Sequence, residues 1–337
     1  HPLWMGINAI PKPRNPASAA EAPARAECAA DLARNAYLQD DYNAFWMERN
    51  YVKDVANATA PMLYAHGFLD ENTPMSLVPD FYNAYPGVKR MWLQQHGHGV
   101  PGSFEAYHLH VHRWLDHFML GLDNGALDLP PVVLQDNRGK YHALPEWPLR
   151  DAPSLTLHLG PGSLAPERPD EGRLSWRDGS LEEVRGAHVP QPGTYLRFTS
   201  EPLPEDVHVS GAPRVTLVVS STARDTQLDV LLYAMDEKGT LTFVTRGYQD
   251  ARHRESLAEG RDVTPGEEAT YAFVLHARDH HLPAGTRLVL DLTSVDKYVV
   301  PDAPGATNTL VLGESRIELP VLDLARTTFL DEAPRVA

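Results

Sequence analysis

Pro61-Met-Leu-Tyr-Ala-His66 runs straight into Gly67-Phe-Leu-Asp70, and Lys89-Arg-Met-Trp-Leu93 runs into Gln94-Gln-His-Gly-His98. Each is a short apolar run of the buried-strand kind, and each ends in a loop that carries a residue able to do chemistry. Around this pair the chain alternates. A helix is expected from about Met75 to Ala84 between the two strands, and a second from about Phe104 to Leu120 after the His98 loop. The second helix spaces Tyr107, Val111, Trp114, Leu115, Phe118 and Met119 along one face and stops near Gly121. Strands alternating with helices predict a mostly parallel sheet.

Past Leu129-Pro-Pro-Val-Val-Leu-Gln135 the texture changes. Short alternating runs recur at 154–159, 194–198, 214–220, 227–234, 241–245, 268–275, 287–293, 309–312 and 315–319, separated by Gly, Pro and Asp turn signals. That is the pattern of an all-β sandwich, and a jelly roll is the expected form. Upstream, residues 1 to about 24 are rich in Pro and Ala and read as a loop. Ala26 to Asn50 reads as helical, and the aromatic-dense Asp41–Tyr51 stretch is expected to pack a helix against the body of the parallel sheet. The division that results is 1–58 as a helical cap or lid remnant, 59–149 as the sheet-and-helix part, and 150–337 as the β-sandwich.

At 337 residues, with 42% hydrophobic and 22% charged content, the chain has material for two cores. Acidic residues outnumber basic ones 45 to 30, for a net charge of -15, which disfavours nucleic acid and anionic membranes as partners. The single cysteine, Cys28, excludes an internal disulfide and a cysteine-based zinc site. No apolar run reaches the roughly 18 residues that a membrane span needs. The compartment stays open between cytoplasm and a secreted state, because one cysteine does not separate the two and, as His1-Pro-Leu-Trp-Met-Gly shows neither an initiator Met nor a leader pattern, any signal peptide is expected upstream.

Asp70 falls just beyond the C-terminal end of a strand, where open α/β sheets place functional loops. A carboxylate there can accept the Nδ1 hydrogen of a histidine and stabilise the imidazolium that forms when a serine is deprotonated. Its other reading is a turn aspartate satisfied by backbone amides. A histidine follows the next strand, and His96 and His98 share the loop, so the pattern leaves both open. The order acid then histidine is that of an α/β-hydrolase, whose nucleophile comes first. The serines that resemble a nucleophile motif, Ser103, Ser163 and Ser315, do not complete G-x-S-x-G and all follow Asp70. The nucleophile is therefore expected upstream of His1, and the fold is expected to be the C-terminal part of an α/β-hydrolase domain followed by an all-β jelly-roll sandwich. His108, His110 and His112 read as helix-surface histidines, since only His108 and His112 share a face and no H-E-x-x-H accompanies them. His280 and His281 read as turn residues, and neither a metal nor a cofactor is expected.

At Asp41-Tyr-Asn-Ala-Phe-Trp-Met-Glu-Arg-Asn-Tyr51, His66-Gly-Phe-Leu-Asp70-Glu-Asn72, Gly97-His98 and Leu129-Pro-Pro-Val-Val-Leu-Gln-Asp-Asn137, the chain resembles the X-prolyl dipeptidyl aminopeptidases. Gly211-Ala-Pro-Arg-Val-Thr216, Thr245-Arg-Gly-Tyr-Gln-Asp-Ala-Arg-His-Arg254 and Leu282-Pro-Ala-Gly-Thr-Arg-Leu288 resemble the jelly-roll domain shared with cocaine-esterase-like and α-amino-acid ester hydrolases. The resemblance implies Asp70 as triad acid and His98, over His96, as triad base. It implies an acyl-enzyme mechanism that releases N-terminal dipeptides with proline second. The family often has an aromatic residue after the acid, where this chain has Glu71, so substrate preference could differ. The expected partners are such peptides, the N-terminal portion of the same hydrolase, and a second copy in a homodimer. Without its serine the chain alone is expected not to turn over substrate. An acyl ester or β-lactam acyl hydrolase of the same layout, and a non-catalytic jelly-roll binding module, are the alternatives.

Overall fold

The structure, a computed structural model, describes residues 22–37, 41–75, 78–99, 105–180, 191–296, 299 and 305–331. Four α-helices are present among them: α1 (Ala22–Tyr37), α2 (Ala44–Glu48), α3 (Val78–Ala84) and α4 (Glu105–Leu120). The strands are β1 (Met62–Gly67), β2 (Lys89–Gln94), β3 (Val132–Gln135), β4 (Tyr141–Leu144), β5 (Ser154–Leu159), β6 (Ser163–Ala165), β7 (Arg173–Arg177), β8 (Tyr195–Ser200) and β9 (Val207–Gly211). They continue as β10 (Arg214–Ser221), β11 (Gln227–Met235), β12 (Leu241–Asp250), β13 (Ala269–Val274), β14 (Arg278–Leu282), β15 (Arg287–Thr293), β16 (Thr307–Val311), β17 (Arg316–Pro320) and β18 (Thr328–Leu330).

The first sheet has the order β1-β2-β3-β4-β18. β1, β2 and β3 run parallel, and β4 and β18 add antiparallel. Met91, Trp92 and Leu93 of β2 and Val132, Val133 and Leu134 of β3 are all buried, as expected of strands covered on both faces. β1 and β2 are in register to their ends, with His66 opposite Leu93 and Gly67 opposite Gln94. The loops that leave them, one carrying Asp70 and the other His98, therefore start side by side.

The second sheet winds eleven strands in the order β12-β11-β15-β8-β6-β5-β17-β10-β16-β7, with β13 added to β10. Val215, Leu217 and Val219 of β10 share one core with Leu228, Val230 and Leu232 of β11 and Leu288, Leu290 and Leu292 of β15. β10 and β11 do not pair, so this sheet folds over to enclose its own interior. β9 and β14 pair with each other as a separate ribbon, with one further bridge from Val209 of β9 to Val321, and they lie at the seam between the two parts. Across that seam a second core mixes Phe68, Met91, Leu93, Val132, Leu134 and Trp147 with Ala277 and Leu322. Phe68 and Trp147 are fully buried at 0% exposure and meet edge to face, and each such side chain is worth about 1.5–3 kcal/mol of burial.

Several sequence expectations are corrected here. Ala22 to Ala24, placed in the first loop, are helical, while residues 1–21 lie outside the described ones. The Asp41–Tyr51 stretch does not attach to the first sheet at its leading end. The Tyr42 amide donates to Leu257 O, and the Asp41 carboxylate bonds His253 and the Gly260 amide, so it docks on the 251–260 loop of the β-rich part. His280 and His281 are strand residues of β14, because their main chain pairs with Val209 and His208. β18, grouped by its position with the second domain, pairs with β4 in the first sheet.

Candidate functional site

The loop after β1 turns sharply enough to bring Asp70 back over the strand end. Gly67 lets the neighbouring histidine loop pack against this strand end, because a Cβ at that position would lie 2.1 Å from His96 O. Asp70 is 2% exposed and divides its two carboxylate oxygens between two tasks. Oδ1 accepts the amides of Asn72 at 2.8 Å and Thr73 at 3.1 Å, the self-capping turn that an aspartate builds two or three residues ahead of itself. Oδ2 accepts the Thr73 hydroxyl at 2.7 Å and His98 Nδ1 at 3.0 Å. The two readings of this aspartate, turn former and partner of a histidine, are thus both realised, one on each oxygen.

Burial pushes the Asp70 carboxyl up, but the hydrogen bonds from the Thr73 hydroxyl and amide, the Asn72 amide and His98 outweigh it and hold the group at about 2. A carboxylate fixed in that way commits His98 Nδ1 as the donor and leaves proton transfer to Nε2. The His98 side chain is 55% exposed, so part of its ring remains accessible. His96 is turned elsewhere. Its Nδ1 lies 2.7 Å from Gly97 O, and its Nε2 is buried without a hydrogen-bond partner. The geometry therefore pairs Asp70 with His98 and not with His96. His66, at the end of β1, supports the acid loop, with Nε2 2.8 Å from Thr73 O and 3.8 Å from Asp70 Oδ2.

Glu71, the next residue, points to the β-rich part. Its carboxylate lies 3.3 Å from Arg246 Nε and 3.4 Å from Arg278 Nη2. Arg246 also pairs with Asp296. In the β11–β12 register Arg246 lies opposite Leu231 and Tyr248 opposite Asp229, which places Arg246, Tyr248 and Asp229 on one face. Asp229 is buried with neither oxygen hydrogen-bonded; burial and then Asp296 push its carboxyl well above the ordinary range, against the pull of Arg246. Thr73, Arg278 and Asp296 escaped the sequence reading, and Arg246 entered it only within the Thr245–Arg254 stretch, with no role. Only Thr73 left a local signal, its spacing from Asp70.

Among the described residues, His142, His208 and Asp279 form the group that could hold a metal, with ligand atoms within 4.8 Å of one another. All three are buried, yet the carboxylate is already satisfied. It accepts from His208 Nε2 at 2.7 Å, His142 Nε2 at 3.2 Å and the Ser210 hydroxyl at 2.8 Å, which are hydrogen-bond contacts. The arrangement ties β4 to β9 and β14. Of the other histidines, His281 meets the His208 ring edge to face at 5.9 Å. His108 and His112 are exposed on α4, whereas His110, expected on the surface, is 1% exposed against Trp92 and burial pushes it down to about 4. Of the serines, Ser163 sits in β6, and Ser315 is buried between the Val218 amide and Val311 O. Ser103 lies outside the described residues. No helix among the described residues is long and apolar enough to cross a membrane.

Residues 124–333 match the model of the X-Pro dipeptidyl-peptidase C-terminal non-catalytic domain, and residues 5–100 match that of the X-Pro dipeptidyl-peptidase (S15 family). A protein of Streptomyces avermitilis, provisionally named an Xaa-Pro dipeptidyl-peptidase, is 29% identical over 90% of this chain and 52% of its own length. The Xaa-Pro dipeptidyl-peptidase of Streptococcus thermophilus is 22% identical over 83% of this chain and 42% of its own. The chain spans about half the length of such relatives. Among solved structures, an aminopeptidase from a marine-sediment Thaumarchaeota archaeon superposes with a TM-score of 0.76, 18% identity, and coverage of 90% of this chain and 62% of that one. An α-amino acid ester hydrolase superposes with a TM-score of 0.72, 18% identity, and coverage of 88% and 62%. These two likenesses concern the fold.

Proposed function

Since the chain belongs to the X-Pro dipeptidyl-peptidase (S15) family, we propose that it supplies the acid and the base of a serine dipeptidyl-peptidase, Asp70 and His98, and that the nucleophilic serine comes from sequence upstream of it. The observation that carries the proposal is the 3.0 Å contact between the clamped Asp70 carboxylate and His98 Nδ1. In this reading residues 59–149 are the C-terminal half of an α/β-hydrolase domain, and the β-rich remainder is its jelly-roll partner. β1 is an edge strand of the first sheet among the described residues, and its outer edge is where the strand leading to the serine would pair.

His98 Nε2 would take the serine proton as the serine oxygen attacks the prolyl carbonyl, then pass that proton to the leaving amine. Asp70 would stabilise the imidazolium in between without becoming protonated itself. Water, activated by the same Nε2, would then release the dipeptide. The substrate is a peptide with proline in second position. A second reading, an acyl ester or β-lactam acyl hydrolase, is favoured by the fold likeness to the ester hydrolase and by a relative in Mycobacterium bovis, provisionally named a serine esterase and 28% identical over 63% of this chain and 40% of its own length.

Expression of the full reading frame that contains this chain, assayed with Gly-Pro and Ala-Pro chromogenic amides beside acyl esters, separates the two. Turnover of the prolyl amides is expected. Turnover of esters alone moves the assignment to the second reading, and turnover of neither sinks both.

A further inference from the structure

The two loops of the candidate site are tied to neighbouring residues of a single strand of the β-rich part. Arg278, first residue of β14, is 1% exposed and sends its guanidinium across the seam. Its Nη1 donates to Phe68 O, its Nη2 lies 3.4 Å from Glu71 Oε1, and its Nε donates to Val244 O at 3.0 Å within its own part. Phe68 and Glu71 bracket Asp70 at close range on either side. The next residue, Asp279, accepts through its main-chain oxygen the side-chain amide of Gln95 at 3.0 Å, and the same amide donates to Gln135 O at 2.8 Å. Gln95 opens the loop that carries His98. Adjacent residues of β14 thus fix the root of the acid loop and the root of the histidine loop.

A buried arginine is costly unless its donors are met, and burial lowers the Arg278 guanidinium to about 10 despite Glu71. That cost is understandable where the planar fork reaches Phe68 O and Glu71 on one side of the seam and Val244 O on the other in one fixed geometry, which the compact ammonium of a lysine does not reproduce. We propose that β14 sets the spacing of Asp70 and His98, with Arg278 as the positioning residue for the acid loop, so that the β-rich part takes part in building the site although it contributes no reacting group. The proposal rests on the Asp70–His98 pairing described above.

The test uses the full-length protein with histidine 15N-labelled and aspartate 13C-labelled, and the variant Arg278→Lys, which keeps the charge and the stem but not the fork. The expected result is loss or upfield movement of the low-field His98 Nδ1 proton and a rise of the Asp70 titration above about 2. In the same variant kcat should be lower by about ten- to 10²-fold while KM stays within about twofold, the pattern of a misplaced catalytic group. If Arg278→Lys does not fold, Glu71→Ala removes the other half of the clamp. Loss of its negative charge alone would lower the Asp70 titration, so a rise reports loosening. An unchanged Nδ1 proton and an unchanged Asp70 titration in whichever variant folds overturn the proposal. Asp70→Asn separates this from the pairing itself: if the Nδ1 proton survives that change, it is the Asp70–His98 reading that fails.

Discussion

Two buried aspartates in this chain each hold histidine, and they differ in what the histidine can reach. Asp70 grips His98, whose side chain is 55% exposed. Asp279 grips His142 and His208, whose side chains are 1% and 8% exposed. In both cases hydrogen bonds hold the carboxyl below its ordinary range against burial. The interaction is the same, so the carboxylate–imidazole pair does not by itself define a catalytic site. A half-exposed imidazole held by a carboxylate can exchange its proton with a group that approaches it, whereas one enclosed by protein can only fasten strands together.

The comparison breaks most sharply through activity. On the proposed reading, His98→Ala in the full-length protein is expected to lower kcat by about 10⁴-fold or more, the loss that follows removal of a triad base, while His142→Ala should keep turnover within about tenfold as long as the protein stays folded. Comparable losses from both, measured at a temperature where both remain folded, would erase the distinction. The next effect is on stability and runs the other way. Asp279→Ala strands three buried donors and should cost about 3–5 kcal/mol in urea unfolding. Asp70→Asn keeps the shape and should cost less stability while removing nearly all activity.

A smaller effect sharpens the Asp70 side alone. Thr73→Val deletes the hydroxyl on Oδ2 without touching the turn amides on Oδ1. It should raise the Asp70 titration and lower kcat by about tenfold, as read by carboxyl NMR and steady-state kinetics. The smallest is the pH dependence. Because the folded Asp70 sits at about 2, below the ordinary carboxylate value, its contribution is fully present above about pH 4 and is lost as pH falls towards 2. The stability gap between wild type and Asp70→Asn should therefore close over that window, and a gap that stays constant from pH 6 to pH 2 would contradict the assignment.

The half-exposed pairing was legible in the sequence and the sealed one was not, for a physical reason. β1 and β2 each hold a short apolar run, and parallel neighbours in register must bring their exit loops together, so Asp70 and His98 could be placed from local pattern. Choosing His98 over His96 took the resemblance, since both lie on the same glycine-containing loop. β9 and β14 read Val-His-Val-Ser-Gly and Arg-Asp-His-His-Leu, and burial at their polar positions hides the alternation by which strands are found. Their partners are remote as well: Glu71 and Arg278 are 207 residues apart, and His142 and Asp279 are 137 apart. His110 shows the same limit, as a polar residue buried by a tertiary neighbour, Trp92, that helical spacing does not name.

The pairing of β18 with β4 changes what counts as a unit in this chain. The first sheet is left after β4 and rejoined at residue 328, so everything between them is an excursion bridged at both ends by the same sheet. A cut near residue 150 would not release an appendage; it would also strip the outermost strand from the sheet and bare the edge of β4, where His142 enters the seam. Circular permutants and truncations of this protein should respect that closed loop, and the two parts should melt together.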